Sequence, residues 1–167
     1  KLHGIPSGVL DPNAILYIAT GSVINPEKLV AEIEDIERIG KQFDRDLSLK
    51  GRLFISSKAT LIQPHQPLLD KITGKELGTT GNGIGYAYAG KALRVESGLL
   101  KSLRLGDYLA NPSKCKKVAL HNLDRLMHCE GSISRPDLSL IECFDSAVGK
   151  LESYLCSDPL FLIKKIK

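Results

Sequence analysis

Apolar and polar positions along this chain switch between two periods. Residues 14–20, Ala-Ile-Leu-Tyr-Ile-Ala-Thr, form a short apolar run behind the turn-prone Asp11-Pro12-Asn13. A run this short and apolar predicts a buried strand. Leu29, Val30, Ile33, Ile36 and Ile39 then recur at helical spacing. Asn25 is suited to cap that helix, Pro26 to open it and Glu27 to favour its positive end, with Gly40 or the polar stretch behind it as the stop. Arg52-Leu53-Phe54-Ile55-Ser56 follows Lys50-Gly51 as a second strand. Strand, helix, strand in this order predicts a parallel pair.

Pro64 and Pro67 punctuate the next stretch, where residues 66–72 read as a short helix leading into a glycine-rich segment. Residues 88–103 read as helical, carrying Gly90 and Gly98. From Ser113 onward one face collects Cys115, Val118, Ala119, Leu123, Leu126 and Met127 before residues 131–136 break the run. A second helix would bury Leu138, Ile141, Phe144, Val148, Leu151 and Leu155, stopping at Asp158-Pro159 ahead of a last apolar run at 160–163. The pattern predicts an α/β fold: a partial, mostly parallel sheet with flanking helices and a C-terminal helical hairpin. Residues 1–109 form its α/β segment and residues 110–167 a helical segment of the same domain.

Composition narrows the function. With 167 residues, 43% of them hydrophobic and 25% charged, the chain suits one domain with a real core. A net charge of +4 with only 5% aromatics and no Trp leaves little for stacking on single-stranded nucleic acid. No segment approaches the roughly 18 consecutive apolar residues of a membrane span, and the N-terminus lacks a signal peptide's apolar core. The expectation is a cytoplasmic protein without nucleic-acid or membrane partners. Cys115, Cys129, Cys143 and Cys156 are widely spaced and fit reduced thiols better than zinc. The chain starts at Lys1 without Met, which reads as a fragment.

The chemistry gathers at Gly78-Thr79-Thr80-Gly81-Asn82-Gly83-Ile84-Gly85, with four glycines and two adjacent threonines in eight residues. Glycine admits positive φ and close approach, while threonine hydroxyls and successive backbone N–H groups can point at phosphate oxygens. A structural turn is the plain alternative, and the paired threonines favour the anion cradle. Arg94 could supply the charge that hydroxyls and amides lack. Gly85 to Ala92 nearly spells a nucleotide-triphosphate loop, but Ala92 stands where the metal-binding hydroxyl belongs. His121 and His128, seven apart, are poorly spaced for a metal and read as exposed or internally satisfied rings. The acidic residues alternating along the first helix are a solvated face.

The order and spacing of Lys1-Leu2-His3, Ile5-Pro6-Ser7-Gly8-Val9-Leu10, Gly51-Arg52-Leu53-Phe54-Ile55-Ser56, the run from Gly78 to Tyr88, and Arg104-Leu105-Gly106-Asp107 resemble adenylosuccinate synthetase. The resemblance extends to about Leu109, and Gly-Thr-Thr-Gly is its most specific element. It implies that residues 1–109 correspond to the IMP-site part of a purine-biosynthesis ligase, which phosphorylates O6 of IMP with GTP and Mg2+ before aspartate displaces the phosphate.

Carried onto this sequence, the resemblance implies that Thr80 contacts the IMP 5′-phosphate, with Thr79, Gly81 and the neighbouring amides shaping the pocket. Arg94 matches an arginine that reaches IMP across a dimer interface, so a homodimer or other self-association is expected. Asn82 stands where the family usually carries a basic residue, and Ile18-Ala19-Thr20-Gly21-Ser22-Val23 where it typically has Ile-Gly-Asn-Gly-Val. The family's GTP-binding loop, catalytic histidine motif and guanine-recognition motif do not occur in this chain. It is therefore expected to be inactive alone, with no catalytic residue and neither GTP nor Mg2+ of its own. The alternative is a non-catalytic nucleotide-binding or oligomerisation module that kept the fold.

Overall fold

The computed structural model describes residues 2–74, 78–93, 95–96, 99–100, 102–129 and 137–157. Its elements in chain order are β1 (Leu16–Ile18), β2 (Val23–Ile24), α1 (Pro26–Gln42), β3 (Leu53–Ser56), β4 (Thr60–Leu61), α2 (His65–Thr73), α3 (Ile84–Leu93), β5 (Val95–Glu96), β6 (Leu99–Leu100), β7 (Leu103–Arg104), α4 (Leu105–Ala110), α5 (Pro112–Cys129), α6 (Leu138–Lys150) and β8 (Leu155–Cys156).

The expected parallel pair forms as β1 and β3, with Leu16 opposite Leu53 and Ile18 opposite Ile55. Strand β8 joins the other side of β3 in parallel, giving the order β1-β3-β8. Leu16, Ile18, Leu53 and Ile55 share one face of the sheet and are all buried, while Tyr17 and Phe54 on the opposite face are half-buried. A second sheet sets β2 parallel to β4 and β7 antiparallel to β4. These two-residue strands are too short to produce a readable period.

Helix α1 starts where its caps place it. The Asn25 side chain accepts the Lys28 N–H at 3.0 Å, and Pro26 occupies the first turn. Leu29, Val30, Ile33 and Ile36 are buried, whereas Ile39 is 42% exposed. The helix runs past Gly40 to Gln42 because Gly40 serves a close approach: a Cβ there would lie 2.7 Å from the Arg45 carbonyl oxygen. Arg52 ties the start of β3 to the N-terminal turn through the carbonyls of Asp11 and Val9.

Two expected elements are corrected. The helix predicted over 88–103 instead begins at Ile84 and ends at Leu93, before the antiparallel hairpin of β5 and β6. Gly90 and Gly98 each disfavour a continuous helix by about 1 kcal/mol relative to Ala, and the apolar residues on either side of Gly98 pair as strands instead. The last helix ends at Lys150, and a 3-10 turn over Glu152–Tyr154 delivers Leu155 and Cys156 to β3. That strand edge offers backbone partners which an extended helix would leave unmet. Leu138 is 57% exposed in the first turn of α6, while Ile141, Phe144, Val148 and Leu151 are buried. Helix α6 packs against both α1 and α5, which forms the predicted pairing of C-terminal helices. The predicted break at 131–136 and the apolar run at 160–163 lie outside the described residues.

Candidate functional site

The glycine-rich segment folds as the connection between α2 and α3. Gly78, Gly81 and Gly83 take φ of 64°, 66° and 72°, in the left-handed region that favours glycine. Gly83 is also sterically required, since a Cβ would lie 2.7 Å from backbone atoms of Gln66 and Pro67. Its N–H donates to the buried Asp70 carboxylate at 2.8 Å, which moors the loop to α2. Helix α3 starts at the next residue, so the N–H groups of its first turn have no intrahelical acceptor.

The two threonines have different settings. Thr79 packs over Gly74, where a Cβ would come within 2.0 Å of its hydroxyl oxygen, and donates at 3.4 Å to the Asp70 carbonyl. Thr80 is exposed and accepts a 3.0 Å hydrogen bond from the Asn82 amide. The Asn82 carbonyl oxygen in turn accepts from the Lys28 ammonium, reaching across from α1.

Helix α3 also meets the turn between β1 and β2. Lys91 donates to the Gly21 carbonyl at 3.2 Å and Tyr88 to the same oxygen at 3.4 Å. Thr20 shares a 3.0 Å hydroxyl contact with the buried Ser56. Beneath α3, the Gln66 amide reaches the Tyr86 carbonyl at 3.4 Å, and the Tyr86 hydroxyl meets Thr73. A groove of about 880 Å³ opens beside the loop, lined by Ile24, Lys28, Ile62, Asn82, Ile84 and Tyr88 among others. One rim is held by Glu32, whose carboxylate accepts the N–H groups of His3 at 2.6 Å and Gly4 at 2.8 Å.

A glycine loop that bears threonine hydroxyls and opens a helix against the β1–β2 turn has the donor groups that an anion cradle requires. Comparison with known proteins gives it a family. The family model for adenylosuccinate synthetase matches residues 1–167, the whole chain. The chain belongs to the adenylosuccinate synthetase family. It is 31% identical to adenylosuccinate synthetase 2 of Cupriavidus pinatubonensis over all of its own length and 34% of that protein's. It is 33% identical to the Syntrophus aciditrophicus adenylosuccinate synthetase, with 99% of this chain and 38% of that protein covered. Among solved structures, the fully ligated adenylosuccinate synthetase of Plasmodium falciparum superposes with a TM-score of 0.73 at 28% identity, covering 99% of this chain and 36% of that one. The chain thus spans roughly a third of the length of these synthetases.

Within that family framework, the structure places Thr79, Thr80 and Gly81 together on the α2–α3 loop; Arg94 lies outside the described residues. The near-match to a nucleotide-triphosphate loop falls inside α3, so those residues are a helix and not a loop. His121 and His128 are exposed on α5, and His128 leans on Asp124 at 3.6 Å. Asp70 and Lys28 were not singled out by sequence reasoning. A buried aspartate on a short helix has a detectable signal in its apolar surroundings, but its partner is thirteen residues away through a loop.

Magnesium takes oxygen ligands, chiefly carboxylates and water. Among the described residues, no three His, Cys, Asp or Glu side chains gather as a metal-ligand set. The carboxylate that touches the loop, Asp70, is buried and engaged by Gly83. The described residues of the loop, Gly74 and Gly78 to Gly83, carry no carboxylate for magnesium. No helix among the described residues is long and apolar enough to cross a membrane.

Proposed function

We propose that this chain carries the part of an adenylosuccinate synthetase that receives the 5′-phosphate of IMP, in an enzyme that joins IMP and aspartate on the route to AMP in the cytoplasm. The observation that carries this reading is the exposed Thr80 hydroxyl on a loop of left-handed glycines that opens α3. Glycines at Gly78 and Gly81 let the backbone approach a ligand, the first turn of α3 supplies N–H donors, and Thr80 adds a hydroxyl. Thr79, with its side chain turned to α2, contributes by holding the loop's shape. Arg94 is proposed as the charged member of the phosphate site, as its place in the family motif implies.

GTP and Mg2+ would engage segments of the synthetase other than the one in hand, so the 167 residues alone bind a monophosphate without turning it over. Calorimetric titration with IMP tests this directly. Submillimolar binding that weakens about tenfold or more in Thr80→Ala is expected for loss of a donor to a charged group. No heat of binding at millimolar IMP removes the reading, and adenylosuccinate formed by the purified chain removes its inactive half.

A second reading, as an assembly module, has its own observation. Among the described residues, β1 and β8 are the two outer strands of the parallel sheet, and Ile15 beside β1 is exposed. Such edges template pairing with another chain. Self-association, as a homodimer or with a longer relative, is expected to appear in light scattering as a mass that rises with concentration, and a constant monomer mass would end this reading.

A further inference from the structure

We infer that Asn82 is a positioning residue which, anchored by Lys28, holds the Thr80 hydroxyl as an acceptor on one side and so leaves its hydrogen to donate to an anion. The inference rests on the phosphate reading of Thr80 and adds how that hydroxyl is aimed.

The argument follows from which groups can donate and which can accept. A lysine ammonium only donates, so the Asn82 side-chain atom it meets is the carbonyl oxygen. That contact fixes the flip of the amide and turns its NH₂ toward Thr80, 3.0 Å away. An NH₂ group also only donates, so the Thr80 oxygen must act as acceptor there. A hydroxyl has one hydrogen. With a lone pair committed to Asn82, the Thr80 hydrogen is directed elsewhere, and Thr80 is exposed. The chain of donors runs from Lys28 through Asn82 to Thr80 and ends in an O–H that needs an acceptor. Phosphate oxygens are acceptors only, and each bond in such a chain polarises the next in the same sense.

The relay also joins two separate elements. Lys28 stands in the first turn of α1, whose start is fixed by Asn25 and Pro26, whereas Asn82 and Thr80 lie on the α2–α3 loop. The aim of the hydroxyl is thus set from outside the loop. A hydroxyl that does not have to reorient when the anion arrives makes a better donor than one free to point at water.

The test is a double-mutant cycle on the full 167-residue chain, with IMP, inorganic phosphate and inosine as probes. Asn82→Ala is expected to weaken IMP about fivefold, the scale of one neutral hydrogen bond. Inosine, which has no phosphate, should be unaffected. In a Thr80→Val background the same substitution should change IMP affinity less than about twofold, because Asn82 acts only through the Thr80 hydroxyl. Neither substitution alters charge, so the Asn82→Ala effect should be equal at low and high salt, while that of Lys28→Met should shrink as salt screens the lost cation. Unchanged melting temperatures would confirm that both variants fold.

Equal losses from Asn82→Ala in the unsubstituted chain and in the Thr80→Val background would overturn the relay and leave the IMP reading standing. IMP binding that Thr80→Val leaves unchanged would remove Thr80 from the site and the relay with it. Binding of neither IMP nor inorganic phosphate at millimolar concentration would overturn both.

Discussion

Asp70 and Gly83 are joined by a 2.8 Å hydrogen bond between a buried carboxylate and a backbone N–H, thirteen residues apart. This contact holds the glycine-rich loop to α2 at the residue before α3 begins. Asp70→Ala would leave a buried donor without that acceptor, which costs about 1–3 kcal/mol and more for a bond to a charged group. Asp70→Asn keeps an oxygen in place and should cost less. Urea unfolding of both variants checks the ranking; an alanine variant as stable as the asparagine variant would contradict the mooring role.

Two glycines in the same segment should respond differently. Gly83→Ala places a Cβ 2.7 Å from the α2 backbone at φ +72° and should destabilise by at least about 2 kcal/mol. Gly85 lies in the first turn of α3 with nothing within 4 Å of its would-be Cβ. Gly85→Ala should leave stability unchanged or raise it by up to about 1 kcal/mol. Thermal melts of the pair measure this contrast.

Tyr108, Asp145 and Lys116 link α4, α6 and α5 and predict a pH response. Burial pushes Asp145 upward, but hydrogen bonds from Lys116 and Tyr108, both at 2.9 Å, outweigh it and hold the carboxyl below its ordinary value. Its contribution is therefore present above the unfolded value of about 3.9 and lost as pH falls through the lower folded value. Burial, with Asp145 beside it, pushes the Tyr108 phenol well up. That contribution is present below the ordinary value of about 10 and lost as pH rises through the folded value. Lys116→Met should move the acid limb of stability to higher pH. The loss at neutral pH should stay under about 1 kcal/mol, because both side chains are roughly a third exposed or more, at 40% and 32%. Denaturation midpoints from acid to neutral pH test the shift.

Asn25 caps α1 and sets the place from which Lys28 reaches Asn82. Asn25→Ala should cost about 1 kcal/mol, the usual scale for a lost cap. Asn25→Ser or Asn25→Asp should restore most of it. Equilibrium unfolding separates these outcomes, and no loss in the alanine variant would mean that α1 is set by packing alone.

Much of this fold was legible in the residues because its signals are local. The Asn25-Pro26 start of α1, the apolar runs of β1 and β3, and the buried faces of α5 and α6 follow from spacing and capping chemistry. Local signals failed where an element answers to a distant one. Leu155 fits the helical period of α6, yet it lies in a strand because β3 has an edge to fill. Ile39 fits the period of α1, yet it is exposed while Gly40 is buried by the chain returning at Arg45.

The sequence by itself determined the glycine loop, its threonines and the family motif, since backbone freedom and hydroxyl chemistry are properties of those residues. It also determined the parallel strand pair, which short apolar runs and an intervening helix dictate. Only the tertiary structure decided that the Thr79 hydroxyl bonds back to α2 over Gly74 while the Thr80 hydroxyl accepts from Asn82, and that Lys28 and Asp70 come to the loop from two different helices. Hydrogen-bond partners are selected by distance and direction in three dimensions, and neither quantity is written in the spacing of residues along a chain.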